Sequence, residues 1–292
     1  MYDICCIGPI TLDKIVTPGR VVEMAGGTAF YFSNAYRNME LQYVLVTTIA
    51  ATEKRFADTL SASGIEVKVF PSRHTVFFEN IYRGDMDHRV QKVWQQSDAF
   101  SIEQFKDVHA AIYHLGPMLP GDIPAELIRH LSGRGIVSLD VQGLLREARN
   151  NDVHAIDWPM KKELLPCIDI LKANEDEMFA LTGEKDIHKG AALLADWGVK
   201  EVIITLGSKG SLIYYDQVYY DIPAYIIGPA VDATGCGDTY MAGYLYQRVK
   251  GASPQMAGQF ASAMAGLKIC ASGPFEGSKE DVMQLLDGES VL

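Results

Sequence analysis

The sequence predicts a doubly wound α/β fold: a mainly parallel sheet flanked by helices, with a small β lid inserted in it. Three observations carry this expectation. From residue 98 onward, short apolar runs alternate with segments of helical periodicity. The apolar runs are continuous rather than alternating, as strands buried on both faces are. Two segments, about 10–24 and 75–95, do alternate, and read as hairpins forming a lid outside the parallel core, the alternative being edge strands that extend the main sheet. A chain of 292 residues suits one large domain carrying such an insertion.

Ile4-Cys5-Cys6-Ile7-Gly8 is a short apolar run closed by Gly8-Pro9, a buried strand central to the sheet. Residues 11–23 form the first hairpin around Pro18-Gly19 and hold Asp13. Ala25-Gly26-Gly27-Thr28 leads into a helix over 29–40 that carries Asn34. Paired glycines before a helix read either as a tight turn or as a close approach to a ligand. A β-branched strand over 43–49, a helix over 53–63 stopped by Gly64 and a strand over 65–70 follow. The second hairpin joins 75–82 to 88–94 through a turn at Arg83-Gly84-Asp85. Further strands fall at 110–115, 135–139, 168–173 and 201–206, running into Gly116, Asp140, Asn174 and Gly207. Helices fit 123–131, 175–182 and 186–197, the last two stopped by Gly183 and Gly198. A hairpin over 211–215 and 218–222 turns at Asp216-Gln217, and helices at about 235–249, 254–271 and 279–287 fill most of the end. Ligands of such sheets sit beyond the carboxyl ends of the strands, where Asp140, Asn174 and Gly207 fall.

Composition narrows the function. Hydrophobic residues make up 48% and charged ones 22%, as in soluble globular proteins. A net charge of −11 gives no electrostatic attraction to nucleic acid or to an anionic membrane. No apolar run is long enough to span a bilayer, and Met1-Tyr2-Asp3 runs straight into a strand with no signal peptide expected. The five cysteines (Cys5, Cys6, Cys167, Cys236, Cys270) make no C-x-x-C pair, which disfavours a zinc or redox motif and fits a reducing, cytoplasmic compartment. The seven histidines show no ligand spacing.

The chemistry concentrates in Asp232-Ala233-Thr234-Gly235-Cys236-Gly237-Asp238-Thr239, which empties into the helix at 235–249. Free backbone N–H groups and the positive end of the helix dipole meet at such a point, and glycine lets a phosphate approach the backbone. A carboxylate there repels an anion. Asp238 is useful if it takes a proton from a hydroxyl that attacks a phosphate. Asp and Thr are also ordinary N-cap residues, so any single Asp here has a plainer explanation than the octet has as a whole. The sequence contains no G-x-x-x-x-G-K-[S/T] and no G-x-G-x-x-G opening the first helix, which sets aside P-loop enzymes and the usual dinucleotide oxidoreductases.

The octet resembles the C-terminal signature of the PfkB carbohydrate kinase family, the ribokinase-like kinases, written D-[TS]-[TA]-G-[AC]-G-D, with Ala233 a mild departure. Asn174-Glu175-Asp176-Glu177 is similar to its N-x-x-E motif, Thr205-Leu206-Gly207-Ser208-Lys209-Gly210 to its T-x-G-x-x-G loop, and Gly26-Gly27 to its di-glycine, all in the family's order. The resemblance covers essentially the whole chain. It implies a ribokinase-like fold and transfer of the γ-phosphate of ATP to a hydroxyl of a small sugar, polyol or nucleoside. In that scheme Asp238 is the base, and the amides of Gly235, Cys236 and Gly237 form the anion hole. Asn174 and Glu177 organise Mg²⁺, water and phosphate, and Thr205, Gly207 and Gly210 border the nucleotide. Asp13, Gly27 and Asn34 face the substrate. The family often binds a monovalent cation such as K⁺ beside the position of Asp232, and its members often pair as homodimers through the lid, whose apolar face here would be Val76, Phe78, Val90 and Val93.

The substrate end departs from the pattern. Tyr31 stands where the family commonly has Asn, and Asn34 follows one turn later, a spacing more like the inositol-kinase-like branch. Thr48-Ile49-Ala50-Ala51-Thr52-Glu53 replaces the usual V-G-x-D, and Gln142 replaces Asn in Asp140-Val141-Gln142-Gly143-Leu144-Leu145-Arg146. The sequence therefore points to a kinase without naming its sugar. A catalytically weak sugar- or nucleotide-binding regulatory protein on the same fold is the alternative.

Overall fold

The computed structural model describes residues 1–82 and 89–288. The expected turn Arg83-Gly84-Asp85 and His88, the expected start of the strand after it, lie outside the described residues. In chain order the first half contains β1 (Tyr2–Ile7), β2 (Thr11–Thr17), β3 (Arg20–Gly26), α1 (Thr28–Asn34), β4 (Tyr43–Ile49), α2 (Arg55–Ala62), β5 (Glu66–Pro71), β6 (Val76–Tyr82), β7 (Arg89–Gln95), β8 (Ala110–Leu115), α3 (Ala125–Ser132) and β9 (Ile136–Asp140). The second half contains β10 (Arg146–Arg149), β11 (Asp152–Ala155), α4 (Lys161–Leu164), β12 (Ile170–Asn174), α5 (Glu175–Thr182), α6 (Ile187–Asp196), β13 (Glu201–Thr205), β14 (Ser211–Tyr215), β15 (Val218–Ile222), α7 (Cys236–Val249), α8 (Pro254–Ile269) and α9 (Lys279–Leu286).

Among the described residues these strands form two sheets. The larger has the order β15-β14-β13-β12-β9-β8-β1-β4-β5. It is parallel from β13 to β5, and β14 and β15 add antiparallel at one edge. Its core has two sides, which explains the continuous apolar runs. In β1, Ile4 and Cys6 join one cluster with Phe32 of α1, Tyr244 of α7 and Met264 of α8. Cys5 and Ile7 join another with Leu127 of α3, Leu181 of α5 and Leu194 of α6. Side chains alternate faces along a strand, so a strand covered on both sides needs apolar residues at every position.

The second sheet has the order β10-β11-β7-β6-β2-β3. The hairpins expected at 10–24 and 75–95 pair with each other through parallel β2 and β6. A third hairpin, β10–β11, extends them through β7 and was not expected. Its turn is Asn150-Asn151, both at positive φ (49° and 69°), a conformation Asn tolerates and two-residue hairpins favour. Val76, Phe78 and Val93 are buried against Met118 and Leu119 of the same chain, so three of the four residues expected on a pairing face belong to the protein's own core. Val90 stays exposed.

The helix expected over 29–40 ends at Asn34. Beyond it Tyr36, Arg37 and Met39 bond to carbonyls three residues back, giving successive tight turns. The Tyr36 hydroxyl donates to the carbonyl of Ala242 and so ties these turns to α7.

The far end of α7 is anchored by charge. Arg248 in its last turn pairs with Glu201 of β13 at 2.8 Å, and the Tyr244 hydroxyl donates to the same carboxylate, which is 3% exposed. Arg248→Met would leave Glu201 buried without its cation. We expect a destabilisation of about 3–5 kcal/mol in chemical unfolding. A loss below about 1 kcal/mol, typical of solvent-screened pairs, would contradict this anchoring role.

Candidate active site

A cavity of about 920 Å³ lies beyond the carboxyl ends of β9, β12 and β13 and reaches the second sheet. The N-terminus of α7 enters it. Gly235 caps that helix at φ 76°, in the left-handed region, and a Cβ there would lie 2.2 Å from the ring of Tyr31. Both facts demand glycine. Among the described residues the amides of Gly235, Gly237 and Asp238 donate to no protein group, whereas that of Cys236 donates to the Ala233 carbonyl at 3.2 Å. The helix thus presents unpartnered N–H groups to the cavity, but Cys236, expected among them, already has a partner.

Behind these amides lies a buried charge cluster. Lys172 of β12 bonds Asp140 of β9 at 2.9 Å and stands 4.0 Å from Glu177 of α5. Its Nζ would be 3.2 Å from a Cβ at Gly237, so glycine also admits this ammonium. Asn174 and Glu177 cap α5 reciprocally: each side chain accepts the other's backbone N–H at 2.8 Å. Burial raises the pKa of Asp238 to about 6, the charge of Asp140 adds to this, and Lys172, Thr28 and Arg146 pull it back. Burial opposes the charge on Lys172, but Asp140 and Glu177 outweigh that and raise its pKa. Burial raises Glu177 as well.

Toward the second sheet the cavity is lined by Asp13, Gly27, Thr28, Tyr31, Asn80 and Gln91. Asp13 accepts from the Thr11 hydroxyl at 2.6 Å, and a Cβ at Gly26 would collide with its carboxylate. A polar chain runs from Asn80 to Gln91 (2.9 Å), then to Arg146 (3.4 Å) and on to Gln142 (3.2 Å). The Arg146 guanidinium lies over the Phe78 ring. Asn34 corrects an expectation. It does not line the cavity, because its amide donates back to the Phe30 carbonyl at 2.8 Å. Tyr31, one turn earlier, lines it instead.

On the other side the cavity is bordered by Asn174, Thr205, Gly207 and Gly210. Gly207 and Gly210 have φ of 58° and 96°, and a Cβ at Gly210 would lie 2.0 Å from the Ile222 carbonyl. Tyr225, Ile226, Val231 and Ile269 add apolar side chains to its lining. Asp232, expected beside a monovalent cation, stands 3.5 Å from the ammonium of Lys268. Glu177 does not line the cavity directly.

Sequence reasoning missed Lys172, Thr28 and Lys268. The signal was present for the lysines, since each interrupts an apolar run (Ile170-Leu171-Lys172-Ala173 and Gly266-Leu267-Lys268-Ile269). A lysine at a core position is almost always paired. Thr28 looked like part of a turn.

Gly235→Ala tests the amide arrangement. The new Cβ meets both a disfavoured φ and the Tyr31 ring, so the loop must move. We expect turnover to fall by at least about 10²-fold, the worth of one oxyanion donor. Native turnover in this variant would show that the amides do not act there.

Known proteins similar to this chain include sugar and nucleoside kinases. The cytidine kinase of Thermococcus kodakarensis is 30% identical over 259 residues, covering 84% of this chain and 88% of that one. A pyrophosphate-dependent kinase in the ribokinase family, solved with a pyrophosphate analog and myo-inositol, superposes with a TM-score of 0.86 at 25% identity, covering 96% of this chain and 99% of that one. Ribokinase of Arabidopsis thaliana, solved with ribose and ATP, shares the fold with a TM-score of 0.80 at 23% identity, covering 98% of each chain. The family pattern described as pfkB family carbohydrate kinase matches residues 94–281. With a signature octet at a helix N-terminus, a shared fold and a match over most of its length, the chain belongs to the pfkB family of carbohydrate kinases.

Proposed function

We propose that the chain transfers the γ-phosphoryl group of ATP to a hydroxyl of a small sugar, polyol or nucleoside, with Asp238 as the base. One observation carries this reading: a carboxylate raised toward neutrality stands in the same cavity as unpartnered glycine amides at a helix N-terminus. Asp238 would accept the proton of the attacking hydroxyl. Gly235 and Gly237 would hold oxygens of the transferring group, and Cys236 would join them on giving up its bond to Ala233. Asp13, Gly27 and the Asn80–Gln91 pair would orient the acceptor. Asn174, Thr205, Gly207 and Gly210 would border the donor.

Mg²⁺ bound with the nucleotide neutralises charge on its phosphates. Among the described residues no group of three or more His, Cys, Asp or Glu side chains could hold a metal. Mg²⁺ keeps several waters and takes one or two carboxylates plus substrate phosphates. Glu177 with Asn174 fits this mode through water. ATP is favoured over pyrophosphate as donor because Ile226 and Val231, 74% and 60% exposed, offer apolar side chains at the cavity edge on which a base could pack. The five cysteines are free, which fits a cytoplasmic enzyme. The second sheet would serve as a lid. Its outward residues Val21, Val90 and Trp94 are 60%, 40% and 48% exposed, and we assign a homodimer contact to them. Sedimentation equilibrium at micromolar protein should give twice the chain mass, and a monomer would contradict the assignment.

The catalytic reading is tested with a panel of sugars, polyols and nucleosides and Mg-ATP. At least one should support ADP release, and Asp238→Ala should slow it by roughly 10²–10⁴-fold. An Asp238→Ala protein with native turnover would refute the base. Stabilisation by Mg-ATP with no turnover on any acceptor would favour a binding role instead. The pH profile adds a second test. A base must be ionised, so kcat/KM for the acceptor should fall as pH drops through about 6. A limb near about 3.9, the value of an unperturbed Asp, would mean that the cluster does not act on Asp238.

A further inference from the structure

The octet loop encloses an ammonium of its own. Lys268 lies near the end of α8, its side chain is 0% exposed, and its Nζ donates to the main-chain oxygen of Asp232 at 2.7 Å. The Asp232 carboxylate oxygen Oδ2 is 3.5 Å away. The neighbouring polar groups are engaged as well, within the loop and with the end of α8. Thr234 N–H donates to Oδ1 at 2.9 Å and Gly273 N–H to Oδ2 at 3.2 Å. The amides of Val231 and Asp232 donate to the Ile269 carbonyl, next to Lys268 in sequence, at 2.8 and 3.2 Å. One buried cation therefore joins α8 to residue 232, three residues before the left-handed Gly235.

A carbonyl and a carboxylate oxygen converging at this depth make a cradle for a single positive charge, and Lys268 fills it. A bare K⁺ beside Asp232 does not fit with Lys268 in place, because two like charges would compete for the same carbonyl and carboxylate oxygens within a few ångströms of each other. We propose that Lys268 is a positioning residue that supplies from within the chain the monovalent charge fixing the octet loop, so that the anion hole forms without K⁺ from solution. This rests on the kinase reading of the octet. Lys268 acts through the loop backbone and touches no reacting atom.

The test compares ADP release, and the melting shift produced by Mg-ADP, in K⁺, Na⁺ and tetramethylammonium salts at a matched ionic strength of about 0.1 M. For the native protein both readouts should agree across the salts to within about twofold, since ionic strength is the same in each. Lys268→Met should lose at least about tenfold in kcat in tetramethylammonium, less than the 10²–10³ of deleting an anion-hole donor outright. K⁺ or NH₄⁺ should restore it, which a merely structural loss would not allow. A native enzyme that requires K⁺ overturns the proposal. So does a Lys268→Met protein with native turnover in tetramethylammonium, or a loss that no cation restores. Where Lys268→Met fails to fold, the native protein's response to K⁺ decides alone. Absence of any Mg-ADP shift in every salt would instead refute the kinase reading beneath it.

Discussion

The buried ammonium of Lys172 is the constraint on which the site depends. Asp140 of β9 and Glu177 of α5 stand 2.9 and 4.0 Å from it, and Asp238, in the first turn of α7, lies within reach of its charge. Desolvating each ion costs several kcal/mol. Unit charges about 4 Å apart return roughly 4 kcal/mol at an effective dielectric of 20. The attraction does not exceed the desolvation cost, so the cluster is no large source of stability. Its consequence is chemical. It leaves Asp238 poised near neutrality with a cation close by, beside amides that have no protein partner.

Sheet register produces this arrangement. In the parallel pairing of β12 with β9, Lys172 stands opposite Asp140, and in its pairing with β13, Asn174 stands opposite Thr205. Side chains that carry charge, cap a helix and border the cavity are thereby set two residues apart, on one face near the strand ends. β12 then passes directly into α5 through the Asn174–Glu177 capping box, so Asn174 ends a strand, caps a helix and borders the cavity. Arg248 and Glu201 hold α7 at its opposite end, and Lys268 holds the loop before it.

Most of this was legible in the sequence where one residue type had one physical reason. Gly235 and Gly183 sit at positive φ as their positions at helix ends suggest, and Asp216-Gln217 makes the tight turn expected of it. The octet, the Asn174 capping box and the Thr205–Gly210 loop all border or brace one cavity. What was not legible depended on tertiary contact. Arg146 to Ala155 is too polar to read as strand, and becomes one because β7 offers it an edge. Val76, Phe78 and Val93 form an apolar face in sequence, but only the fold reveals that Met118 and Leu119 cover it. Asn34 has the right chemistry for a substrate contact, yet its own helix takes its amide.

The most direct measurement is a crystal structure of the protein with Mg-ADP, aluminium fluoride and the best acceptor found by the panel. The planar fluoride should lie against the amides of Gly235 and Gly237, with the acceptor oxygen within hydrogen-bond reach of the Asp238 carboxylate, about 2.6–3.2 Å. Fluoride bound away from the α7 N-terminus, or an acceptor hydroxyl turned from Asp238 in a turnover-competent complex, would contradict the assignment of Asp238 as the base.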